Sequence, residues 1–104
     1  MRIEVVSHDM ELTEAIIDHA RERFIAALNQ HATRVMVVEV KLGDVNGPRG
    51  GRDKTCDVIV RLFPSATVIV KEQGDDLYTT ISQAADRVKN SVGRKIDRMK
   101  ENRT

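Results

Sequence analysis

The stretch "TCDVIVRLFPSATVIVKE", residues 55–72, decides the fold because it reads as two strands joined by a tight turn. In its first half, an apolar residue occupies every second position from Cys56 to Leu62, which is the alternation of a half-buried strand. Pro64–Ser65 supplies the turn, and residues 66–72 return as a second strand. The chain therefore contains an antiparallel hairpin with one apolar face.

Two further β-prone runs precede this hairpin. Residues 34–42 are rich in β-branched side chains and alternate in their later part, and residues 2–6 form a shorter run. Between them, residues 14–28 form an amphipathic helix that Thr13 is placed to cap. The apolar stripe of this helix consists of Ile16, Ala20, Phe24, Ala27 and Leu28.

A long C-terminal helix completes the predicted order. Asp75 or Asp76 caps it, and the helical pattern continues to about Lys100. The order β-α-β-β-β-α predicts an α+β fold of two layers. A crossover makes the first two strands parallel, hairpins make the later pairs antiparallel, and both helices cover one face of a four-stranded mixed sheet. The predicted stripe of the last helix is Leu77, Ile81, Ala84, Val88, Val92, Ile96 and Met99.

Length and composition indicate one soluble domain spanning residues 1–104, with 40% hydrophobic and 32% charged residues. The one cysteine, Cys56, excludes an intrachain disulfide, suits a reducing cytoplasm and alternates with core valines. No run approaches the roughly 20 apolar residues that span a bilayer. We therefore expect a cytoplasmic protein without membrane association.

The chain offers no catalytic or metal-binding motif. His8, His19 and His31 lie in separate segments, and none is paired at the spacing of a two-ligand motif. The acid pair at residues 75–76 is explained by the helix cap, and no Ser-His-Asp or Cys-His arrangement can be assembled. We therefore expect no enzymatic activity, no metal and no cofactor.

The glycine-rich stretch "GDVNGPRGGRDKTC", residues 43–56, connects two strands. A phosphate-binding P-loop requires glycine before Lys-Thr and a helix after it, whereas Asp53 precedes this Lys-Thr pair and a strand follows. We expect a mobile hairpin loop over residues 44–53. Either it is only a spacer, or its cations settle onto phosphates: Arg49, Arg52 and Lys54.

The net charge of +1 hides a basic C-terminal segment. Residues 86–104 hold seven basic and three acidic residues, a net charge of +4, and the remainder carries −3. Such a segment attracts a polyanion. Alternatively, it is a solvated helix end whose cations interact favourably with the helix dipole, and charge alone supports both interpretations equally. Successive residues of the last helix are 100° apart around its axis, which places one group on a single flank of the apolar stripe: Arg87, Ser91, Arg94 and Arg98. This group extends over roughly 16 Å of the helix axis. Lys89 and Lys100 lie toward the other flank.

The chemistry of this flank fits RNA. The arginine fork binds phosphate oxygens in pairs and is always charged. No aromatic residues accompany the cations, which argues against base stacking on single strands. Contacts to the backbone of structured RNA fit better.

The sequence resembles the ribosome hibernation factors, also called ribosome-associated inhibitors or ribosomal subunit interface proteins and formerly sigma-54 modulation proteins. The resemblance covers nearly the whole chain, including "MELTEAI" early. It is strongest at "DDLYTTISQAADRVKNSVGRKIDR", residues 75–98, whose Asp76-Leu77-Tyr78 and Ile81 are similar to the family's D-(L/M)-Y-x-x-I signature. The implied fold is β-α-β-β-β-α, similar to double-stranded RNA-binding domains.

The resemblance implies binding to ribosomal RNA of the small subunit in the decoding channel, over transfer RNA and messenger RNA positions, and inhibition of translation. It implies RNA contacts for Arg87, Arg94 and Arg23. The chain departs from the family at Asn90, where members typically have arginine, and at Gly93. We expect Lys95 and Arg98 to compensate for the lost contacts. The predicted RNA-binding residues are Arg23, Arg49, Arg52, Lys54, Arg87, Lys89, Arg94, Lys95 and Arg98.

We further expect a short member of this family, without the C-terminal dimerisation domain of the long form, monomeric when free and not binding DNA. The alternative is a protein-interaction module that uses its sheet face to modulate a stress or transcription regulator. The arginine flank favours the ribosomal interpretation, because a module that contacts only proteins would not need it.

Overall fold

The computed structural model describes residues 1–45 and 53–101. Its elements are β1 (Arg2–Ser7), α1 (Glu14–Leu28), β2 (Val35–Asp44), β3 (Lys54–Leu62), β4 (Ala66–Gly74) and α2 (Leu77–Glu101), with a short 3-10 turn, Asn29–His31, after α1. The strands form one sheet in the order β1–β2–β3–β4. β1 and β2 are parallel, and the other neighbouring pairs are antiparallel. The predicted α+β fold and mixed sheet are confirmed.

Both helices cover the same face of the sheet, and the core lies between the two layers. The five predicted stripe residues of α1 are all buried. The predicted stripe of α2 is buried from Leu77 to Ile96, and Met99 at its end is half-buried against the core. From the sheet, the register aligns Val40, Val58 and Val70 in one buried row.

A bulge in β2 explains why its residues alternate only in the later part of the strand. Val35 pairs with Leu62 and Val37 pairs with Arg61, so Met36 is an extra residue between them. Met36 points to solvent and is 55% exposed. From Val38 to Leu42 the strand then alternates regularly.

Polar caps fix where the two helices begin. The Thr13 hydroxyl accepts a hydrogen bond from Ile16 N at 3.2 Å, as predicted. At the start of α2, the Asp76 carboxylate accepts from Thr79 Oγ1 at 2.7 Å and from Thr79 N at 2.9 Å. Both hydrogen bonds lower the pKa of the Asp76 carboxyl below its ordinary value, and the one from the Thr79 hydroxyl has the larger effect. Of the two acids predicted as caps, Asp76 therefore fills the role.

The cysteine is a core residue, as its alternation predicted. Cys56 is fully buried, and burial raises the pKa of its thiol to about 12. Within residues 1–45 and 53–101, no helix is long and apolar enough to cross a membrane.

Candidate nucleic-acid interface

The two helices meet in a groove on the side of the molecule that faces away from the sheet. One part of it, about 120 Å³, is lined by Arg23, Ala26 and Ala27 of α1 and by Asp86 and Lys89 of α2. Arg23 Nη2 lies 3.9 Å from Asp86 Oδ1, at the limit of an ion pair, and both side chains are well exposed. The two predicted cations, Arg23 and Lys89, are thus brought to one groove from different helices.

A second and larger part of this groove, about 320 Å³, lies beyond the end of α1. Lys89 lines both parts, so they are adjacent, and we call the two together the helix seam. Its second part adds the predicted Arg94. The remaining lining residues are Gln30, His31, Asn90, Gly93 and Asp97.

Gln30 and His31 were not predicted as site residues. They belong to the 3-10 turn that follows α1. The sequence showed that the helical pattern breaks there, but a break carries no information about which way its side chains point. Their placement beside α2 follows only from the packing of the helices.

Arg87 lies on the opposite flank of α2, next to the edge strand β4. Its Nη1 donates to the Lys71 carbonyl at 2.7 Å and lies 3.1 Å from Glu72 Oε2. Two positions separate Arg87 from Lys89, which is about 200° around the helix. The structure therefore places these two predicted cations on different sides of α2.

The other predicted cations of α2 differ in their surroundings. Arg94 Nη2 donates to Ser91 Oγ at 3.3 Å, within the predicted flank. Arg98 is exposed in the last turn of the helix, where a cation also favours the dipole. Lys95 is half-buried, because the helical period places it beside the buried stripe rather than on the flank.

A line of acids separates the two basic flanks. Asp86, Asp97 and Glu101 are exposed, and the helical period places them opposite the buried stripe. A phosphate chain that followed this line would meet three carboxylates. Asp86 and Asp97 also line the helix seam, so its three cations share the groove with two carboxylates.

Of the three predicted cations of the glycine-rich stretch, the structure describes Lys54, which does not join this surface. Arg49 and Arg52 lie outside the described residues. Lys54 Nζ lies 3.0 Å from Asp44 Oδ1 and 3.4 Å from Asp53 Oδ2, and the hydrogen bond to Asp44 is the main cause of its raised pKa.

Lys54 also lies at the wrong end of the molecule to act with Arg98. It pairs in register with Gly74, immediately before α2 begins, whereas Arg98 lies roughly 32 Å further along that helix.

His19 makes structural contacts with the start of α2. His19 Nε2 lies 3.2 Å from the Tyr78 carbonyl and 3.3 Å from Ser82 Oγ, and the His19 ring packs edge-on against the Tyr78 ring. These contacts join α1 to the first turns of α2. Within the described ranges, no group of three or more His, Cys, Asp or Glu side chains is placed to hold a metal ion.

The chain is similar to proteins whose names refer to the ribosome. The family model described as "Sigma 54 modulation protein / S30EA ribosomal protein" matches residues 3–100. A ribosome hibernation promoting factor from Acinetobacter guillouiae is 28% identical over 97 residues, covering 88% of this chain and 84% of that protein.

Two solved structures share the fold. The N-terminal domain of Thermus thermophilus Protein Y superimposes with a TM-score of 0.73 at 26% identity, covering 90% of this chain and 98% of that chain. A ribosomal subunit interface protein from Coxiella burnetii gives a TM-score of 0.74 over 93% of this chain and 99% of that one. At 14% identity, the second likeness bears on the fold alone.

Proposed function

Because the chain belongs to the sigma 54 modulation protein / S30EA ribosomal protein family, we propose that it is a ribosome-binding hibernation factor that acts through contacts with ribosomal RNA phosphates. The relative from Acinetobacter guillouiae carries the name ribosome hibernation promoting factor, which supports this assignment. The action requires no catalytic group, because occupying a channel is enough to stop the ribosome.

The observation that carries the RNA-binding part is the convergence of Arg23, Lys89 and Arg94 on the helix seam. These three positive charges come from both helices and exceed the two carboxylates of the groove, Asp86 and Asp97, by one. The Arg23 contact to Asp86 is long and exposed, so a phosphate can replace it at little cost. Salt bridges of this kind contribute less than about 1 kcal/mol.

The proposed target is the small subunit near the decoding channel, and the proposed consequence is inhibition of translation in the cytoplasm. A fold of two layers with one basic helix face can lie against RNA on that face while its sheet points away. Phosphate contacts along such a face position a protein without reading base sequence. We propose that the free protein acts as a monomer and as a single ribosome-binding domain.

Binding to separated ribosomal subunits tests the target. Labelled protein is mixed with purified small or large subunits, and the bound fraction is measured by sedimentation. We expect binding to the small subunit, competition by transfer RNA with messenger RNA, and a matching fall in cell-free translation. Equal binding to both subunits would contradict the choice of target, and binding without competition would contradict the decoding-channel position.

A further inference from the structure

The face of the sheet opposite the helices carries a pocket of about 440 Å³ with an apolar floor. Ile59 of β3 and Ile69 of β4 are direct cross-strand partners on this face. Val6 of β1 lines the same pocket. Ile69 is 61% exposed and Val6 is 46% exposed, so neither helix covers them. The floor is therefore available to a partner.

Charged side chains form the next row of the sheet. Lys41, Asp57 and Lys71 are consecutive cross-strand partners on β2, β3 and β4, and all three line the pocket. Neither lysine has an ion pair within 4.0 Å in the described part of the chain, which leaves one carboxylate between two ammonium groups. This row has a surplus of one positive charge.

The other carboxylates of the pocket are already balanced. Glu4 lies 3.1 Å from Arg2, and Glu39 lies 3.8 Å from Arg61. Each of these pairs is built from residues of the same sheet face. The charge left for a partner at this pocket is therefore the positive charge of the lysine row.

We propose that this pocket docks an acidic protein segment that places an aliphatic side chain over Ile59 and Ile69 and carboxylates against Lys41 and Lys71. Two strand spacings, roughly 10 Å, separate the backbones of the two lysines, and their flexible stems can reach carboxylates on either side of the aliphatic residue. Exposed apolar surface with a charged rim is typical of protein interaction sites.

The lining argues against RNA as the occupant. RNA would find no aromatic side chain for stacking in this pocket. The inference does not depend on the proposed ribosomal function, because the helix seam lies on the opposite layer and stays free.

The test uses amide chemical shifts of the ¹⁵N-labelled chain, titrated with four synthetic peptides of sequence Ser-Asp-Asp-X-Asp-Glu-Ser in which X is Val, Ile, Leu or Met. We expect shifts at Val6, Ile59 and Ile69, and little effect from a peptide with Ser at X. The Lys41→Gln/Lys71→Gln variant should bind about tenfold more weakly, as expected for the loss of two exposed charge pairs. Lys89→Gln, on the helix seam, is the matched control and should bind like the wild type.

Several results would overturn the proposal. These are no shifts with any of the four peptides, shifts confined to the helices, and unchanged affinity in the double lysine variant. Stronger shifts of the same residues by a short RNA would favour RNA as the occupant. Concentration-dependent self-association that the double lysine variant abolishes would assign the face to a second copy.

Discussion

The guanidinium of Arg87 lies 3.1 Å from the carboxylate of Glu72, which ties the flank of α2 to the edge strand β4. The same nitrogen donates to the Lys71 carbonyl, so Arg87 has two protein partners. Arg94, predicted to share its role, has one hydrogen-bond partner among residues 1–45 and 53–101, the hydroxyl of Ser91 on its own helix. The flank predicted to bind phosphate therefore contains one arginine that the protein already engages and one that is freer to bind.

This difference should appear in the stability of alanine variants. Arg87→Ala removes a half-exposed ion pair and a hydrogen bond to the strand edge, and we expect it to lower the free energy of unfolding by about 1 kcal/mol. Arg94→Ala should change it by less than about 0.5 kcal/mol. Urea unfolding followed by circular dichroism measures both values. Equal free energies of unfolding for the two variants would show that the contact of Arg87 with Glu72 does not stabilise the fold.

Removing the carboxylate of Glu72 should release Arg87 for RNA. We expect Glu72→Gln to tighten binding to small subunits about threefold, the scale of one exposed ion pair. Glu14→Gln, in the first turn of α1, controls for the general loss of a negative charge. If both variants tighten binding equally, the Glu72 contact does not restrain Arg87.

The space around two glycines predicts opposite effects of adding a methyl group. A Cβ at Gly93 would lie 3.9 Å from His31 Nε2, which is an ordinary contact, so Gly93→Ala should stabilise the protein by about 1 kcal/mol through helix propensity. A Cβ at Gly74 would lie 2.5 Å from Thr80 Oγ1. That hydroxyl is held by its hydrogen bond to the Asp76 carbonyl at 2.7 Å.

Gly74→Ala should therefore destabilise the protein. Thermal unfolding of both variants beside the wild type tests the pair of effects. A lower melting temperature for Gly93→Ala would mean that the seam at His31 cannot accept the added methyl group.

The Asp76 cap predicts a pH dependence with a definite sign. Because its pKa is lowered in the folded state, the carboxylate stabilises the fold above its ordinary pKa near 3.8, and this contribution is lost as the pH falls through the folded value. Asp76→Ala should therefore be less stable than the wild type at pH 7, and the difference should shrink below the ordinary pKa. A difference that stays constant down to pH 2 would contradict the cap.

The sequence predicted the fold well because alternation and helical period determine which side of each element is apolar. The stripes of both helices and the inward face of β3 followed from these periods alone. The bulge at Met36 did not, because it exists only relative to the partner residues Leu62 and Arg61. Local patterns cannot contain that information.

The site was predicted less completely for the same physical reason. The helical period correctly separated Arg87 from Lys89, but it could not show that Glu72 binds Arg87 or that Asp44 binds Lys54. Long side chains choose partners that tertiary packing brings near. His31 likewise enters the helix seam only because the end of α1 packs beside α2.

The most direct test of the central claim is the salt dependence of binding to purified small ribosomal subunits. We predict that the logarithm of the association constant falls steeply with the logarithm of salt concentration, by roughly 0.7 to 0.9 per phosphate contact. Replacing Arg23, Lys89 and Arg94 together by alanine should reduce that slope by about 2 to 3. Arg21→Ala, about 200° around α1 from Arg23, should leave it unchanged. A wild-type affinity that stays flat across the salt series, or a triple variant with the wild-type slope, would contradict phosphate binding at the helix seam.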